Sequence, residues 1–80
     1  MNYTIIKTKF NFEKKVGKIY FKFNGWESYQ NESYEIEHNL NKFGYIKFAG
    51  DFIYSNNLVI DYIEFDNYKD YVESLDKLLK

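Results

Sequence analysis

Between residues 3 and 12 apolar and polar side chains take turns along the chain. Thr4, Ile6, Thr8, Phe10 and Phe12 fall on one side of an extended segment, and Lys7, Lys9 and Asn11 on the other. Residues 18 to 24 repeat the pattern, with Ile19, Phe21 and Phe23 against Lys18, Tyr20, Lys22 and Asn24. A period of two is the signature of a half-buried strand, so both segments are expected as strands. Lys14, Lys15, Val16 and Gly17 between them suit a hairpin loop, with Gly17 free to take positive φ. If Phe12 pairs with Ile19, Lys9 lies across from Lys22 on the wet side.

The stretch SYEIEHNL, residues 33 to 40, alternates as well: Tyr34, Ile36, His38 and Leu40 against Glu35, Glu37 and Asn39. Tyr29, Ile36, Leu40 and Phe43 also fall at helical spacings, but the unbroken alternation favours a strand. His38 then points inward beside Ile36, where a hydrogen-bonded core histidine is the default. Residues 43 to 49 read as a further strand, Ile46 and Phe48 inward, Tyr45 and Lys47 outward, ended by Gly50. A short extended piece at 51 to 54 leads into Ser55, Asn56 and Asn57, which carry turn chemistry. LVIDYIEF, residues 58 to 65, is apolar at nearly every position. Asp61 and Glu64 take opposite parities, which suggests a strand covered on both sides or bulged near Asp61.

The last element is the clearest. Tyr68, Tyr71, Val72, Leu75, Leu78 and Leu79 recur at helical spacing, Asp66 or Asn67 can cap the start, Asp70 suits the first turn, and Lys77 and Lys80 suit the last. The expected fold is therefore a single compact α+β domain over residues 1-80. It is an antiparallel sheet of four or five strands in mostly meandering order, with the C-terminal helix on its apolar face.

Composition sharpens this picture in two ways. Eighty residues bury only about 60 to 65% of the surface their unfolded chain exposes, and 18 Phe, Tyr and Trp residues supply the bulk that a small core needs. Cysteine is absent, so no disulfide or zinc-thiolate site staples the chain. Asn, Lys, Ile, Tyr and Phe fill 45 of the 80 positions, a bias of AT-rich coding that makes arrangement a safer guide than abundance. No apolar run approaches the roughly 18 residues of a membrane helix, and the N-terminus has no signal-like stretch, so a cytoplasmic protein with no membrane contact is expected.

Charge is segregated although the net charge is only -1. Residues 1 to 26 carry +5, residues 27 to 40 carry -4, residues 41 to 50 carry +2 and residues 51 to 80 carry -4. Every basic residue is Lys. If the strands share one sheet, its outward face collects Tyr3, Lys7, Lys9, Lys18, Tyr20, Lys22, Tyr45 and Lys47, a candidate partner-binding surface. The alternative reading of its lysines is as solubilising groups that Glu35 and Glu37 neutralise across strands. Asp66, Asp70, Glu73 and Asp76 on the last helix form a second, acidic candidate surface, with Asp61 expected nearby.

NKFGYIKF, residues 41 to 48, resembles the central octapeptide of the RNA-recognition-motif family, keeping Phe43, Gly44 and Phe48. It departs where Asn41 and Lys42 replace a basic residue and a glycine. The order of elements also differs from that family, so strand geometry with large rings accounts for the match. For catalysis there is one histidine, no cysteine, no phosphate-cradling glycine loop and no metal-ligand pair at helical spacing, so no catalytic residue, metal or cofactor is expected.

These features point to a small non-enzymatic protein-binding inhibitor that acts by occluding a partner's nucleic-acid or substrate site. The expected setting is a phage or other mobile element, as for an anti-CRISPR or anti-defence protein, with a host nuclease or nucleoprotein complex as partner. The alternatives are a single-stranded nucleic-acid binder using the Lys and Tyr face, and a toxin immunity protein. An exposed strand edge could also pair two copies as a homodimer.

Overall fold

A computed structural model describes residues 3 to 41 and 44 to 80. Its elements run β1 (Tyr3–Asn11), β2 (Val16–Phe23), α1 (Trp26–Leu40), β3 (Ile53–Ser55), β4 (Leu58–Phe65) and α2 (Tyr68–Leu78). The strands form one antiparallel sheet in the order β1-β2-β4-β3, so the fold is α+β as expected, but the expected meander is broken, because α1 and the segment after it carry the chain across and β4 rather than β3 pairs with β2. Among the described residues no helix is long and apolar enough to cross a membrane.

The second helix is the main departure from the sequence pattern. Residues 26 to 40 are helical, so Tyr29, Ile36 and Leu40 meet the core at their helical spacings and the alternation of SYEIEHNL is incidental. His38 consequently faces solvent and stacks on Tyr34, one helical turn away. Glu35 and Glu37 leave the sheet altogether, so they cannot neutralise its lysines. Glu37 instead accepts a 2.8 Å hydrogen bond from the Phe48 amide. Gly25 starts α1 at φ 125°, with the space for a Cβ bounded by the Asn57 carbonyl at 3.7 Å.

Of the expected strand at residues 43 to 49, Phe43 lies outside the described residues and residues 44 to 49 are irregular. Its inward pair is read correctly: Ile46 is buried, and Phe48 packs on the core and makes a single bridge to Ile63. The Asn41 side chain holds this segment, accepting from the Ile46 amide and donating to its carbonyl as a neighbouring strand would. At the β3–β4 hairpin Asn56 and Asn57 take φ of 52° and 63°, positive values that Asn tolerates in a two-residue turn.

The register of the first hairpin also differs. Thr8 lies opposite Ile19 and Lys9 opposite Lys18, not Lys22. A bulge between Ile5 and Lys7 switches parity, so Tyr3 and Ile5 before it and Phe10 after it all reach the core, while Ile6 is left exposed. The positive φ of the turn falls on Lys15 (57°), not Gly17. Gly17 has a different reason to be glycine: a Cβ there would sit 2.7 Å from the rings of Phe10 and Tyr71.

In β2 Gly17, Ile19, Phe21 and Phe23 are buried, and in β4 Val59, Asp61, Ile63 and Phe65. With Ile36, Leu40, Ile46 and Tyr71 they form one core between the sheet and the two helices. Asp61 belongs to this interior at 1 % exposure, away from the acidic helix face, and β4 needs neither a bulge nor a second covering layer to hold it. Both helices pack on the same side of the sheet; α2 docks there through Tyr71, Leu75 and Leu78, while Tyr68, Val72 and Leu79 of the expected stripe stay exposed.

Candidate binding face

Because burial alternates along β2 and β4, the other face of the sheet is defined by the residues in between. Three rows cross it: Thr4, Lys22 and Ile60; Lys7, Tyr20 and Tyr62; and Lys9, Lys18 and Glu64. Among the described residues nothing packs over this face, and its members are half-buried or exposed.

The rings of Tyr20 and Tyr62 lie side by side at its centre, 5.1 Å between centroids. The Lys7 ammonium stands 5.7 Å from the Tyr20 centroid and that of Lys18 stands 4.9 Å from Tyr62. Each cation is thus held over a ring that attracts it through its negative face. Towards the hairpin turn the face dips into a groove of about 380 Å³ lined by Lys7, Lys9, Asn11, Lys14, Val16, Lys18, Tyr20 and Glu64.

Five of the eight sequence-identified residues therefore meet on one surface: Lys7, Lys9, Lys18, Tyr20 and Lys22. Tyr3 does not, because the bulge turns it onto Phe21 and Phe23. Tyr45 does not either. Its phenol donates to the Asp70 carboxylate on α2, and that bond, with burial and the nearby acids, raises its pKa to about 12. Lys47 is exposed between Ile46 and Phe48 and does not line the groove. Tyr62, Glu64 and Lys14 were missed; the signal for the first two is the pairing of β4 with β2, which sequence order alone does not announce.

The acidic set is less unified than its spacing suggests. Asp66 and Asp76 are exposed, and Glu73 is half-buried. Asp70 is occupied at the helix start, where its amide donates to the Asn67 side chain and its carboxylate accepts from that side chain and from Tyr45. At the far edge of the sheet β3 leaves Ile53 and Tyr54 exposed, beside the contact of Trp26 with Phe52.

Comparison of the sequence with protein-family models and curated proteins, and of the fold with solved structures, yields no match.

Proposed function

We propose that this chain is a non-enzymatic binding protein that covers an acidic surface of a protein partner with the open face of its sheet, keeping that partner from its nucleic acid or substrate. The observation that carries this reading is the gathering of Lys7, Lys9, Lys18 and Lys22 around the Tyr20 and Tyr62 rings on a face that neither helix covers. Lysines at a surface steer an acidic partner into contact, and tyrosines add contact area at low entropic cost.

Single-stranded nucleic acid is the weaker reading for two reasons. A base would need the ring faces over which Lys7 and Lys18 already stand. The chain also has no arginine for planar, bidentate phosphate contacts. Small size, segregated charge and AT-rich coding suit an inhibitor carried by a phage or mobile element, of the anti-CRISPR or anti-defence kind, whose partner is a host nuclease or nucleoprotein complex.

The test is affinity capture from cells that carry the gene, run with the wild-type chain and with Lys18→Glu/Lys22→Glu, alongside gel shifts on single-stranded RNA and DNA at two salt concentrations. One protein recovered in stoichiometric amount by the wild type and lost by the folded double variant is the expected result. Tight, steeply salt-dependent nucleic-acid binding that Tyr20→Ala weakens would overturn the reading.

A further inference from the structure

Lys9 and Lys18 sit directly opposite one another on adjacent strands. Directly opposed like charges destabilise a sheet, and here they are reinforced by Lys7 on the same strand and by Lys14, which lines the same groove. Glu37 and Glu35, the acids that strand pairing would have brought across, lie on α1 instead. The one acid lining the groove is Glu64, the β4 neighbour of Lys18. The hairpin end of the face therefore concentrates positive charge, at a cost to the free protein, where the sheet surface dips into a groove.

The spacing indicates what that charge receives. Lys7 and Lys9 are two residues apart on one side of a strand, which separates their Cα atoms by roughly 6.5–7 Å. An extended peptide has the same repeat, so its side chains at alternate positions meet Lys7 and Lys9 in step. Lys18, across from Lys9, closes on the second of them from the other side. We infer that the groove lined by Lys7, Lys9, Lys14 and Lys18 takes an extended acidic peptide segment of a protein partner, with carboxylates on alternate residues. This rests on the reading of the open face as the contact surface and adds which part of the partner enters the groove. Glu64 sets the limit of the acidic run, because a further carboxylate there meets its like charge.

The experiment titrates the intact protein with two synthetic peptides of equal composition, one alternating Glu and Ser and one with the same residues in two blocks, and with oligothymidylate, following backbone amides by NMR. The alternating peptide is expected to bind several-fold more tightly than the block peptide and to shift Lys7, Lys9, Lys18 and Tyr20. Lys9→Gln is expected to raise the Tm of the free protein while weakening that binding, and Glu64→Gln to tighten it. A residue with a purely structural role would not gain stability and lose binding together. Equal affinity for the two peptides, tighter binding of oligothymidylate, or no effect of Lys9→Gln overturns the inference. Shifts centred on Lys22, Ile60 and Tyr62 instead would refute the groove and leave the open face standing. No shift anywhere on that face with any probe would refute both.

Discussion

The phenol of Tyr29 donates a 2.6 Å hydrogen bond to the carboxylate of Asp61, tying α1 to the middle of β4. The same oxygen accepts from the Gly50 amide at 3.1 Å, and the other from the Tyr62 amide at 2.8 Å. A carboxylate this buried is tolerable only because its lone pairs are met. The bond also fastens the irregular segment beside β4, whose Phe48 packs against Tyr29.

Tyr29→Phe keeps the ring and removes this donor, leaving Asp61 partly unmet. A loss of about 1–3 kcal/mol in urea unfolding is expected. The pH dependence follows from the same bond. Burial, and then the bond to Asp61, push the Tyr29 phenol well above its ordinary value of 10.0. The unfolded chain therefore releases this proton first. The stabilisation is whole below pH 10 and is lost as pH rises through the folded value. The wild type should lose stability more steeply than Tyr29→Phe above about pH 10; equal slopes in urea titrations would contradict the assignment.

Gly17→Ala places a methyl group 2.7 Å from the rings of both Phe10 and Tyr71. Neither ring is at the end of a flexible chain, and Tyr71 is itself buried, so the hairpin and α2 must part. The expected cost is about 1–3 kcal/mol by denaturant unfolding. An unchanged midpoint would show that α2 does not rest on this glycine.

Lys15 holds φ at 57°, a conformation that costs an ordinary side chain about 1–2 kcal/mol. Lys15→Gly removes that strain at some loss of chain entropy. A net gain of about 0.5–1 kcal/mol in stability is expected, since Lys15 does not line the groove.

How far the sequence announced this fold can be traced to particular residues. β2 stands out because its period of two matches what it buries, and α2 because Tyr71, Leu75 and Leu78 recur at helical spacing; β4 conceals its alternation, since Ile60 and Tyr62 are apolar on the open face while Asp61 is buried. α1 was hidden because a thin apolar stripe suffices for a short helix: of its 15 residues only Ile36 and Leu40 are buried, and Tyr34 and His38 filled the alternate places without meaning burial. The Ile5–Lys7 bulge is equally silent, since an extra residue shifts parity without changing composition. Asp61 looked like a surface acid because its three hydrogen-bond donors, from α1, from the segment before β3 and from its own strand, come together only in the folded chain. The Lys7, Lys9, Lys18, Tyr20 and Lys22 face was legible because it needs only local alternation and one hairpin. Tyr45 was lost from it because its phenol is claimed by a carboxylate 25 residues on.

The most direct test of the open face as the contact surface is photo-crosslinking in cells that carry the gene, with a photoreactive amino acid placed at Lys22 in one variant and at Asp76 in another. A single covalent protein adduct from position 22 and none from position 76 is the predicted result. An adduct formed only from position 76 would place the partner on α2 and contradict the account.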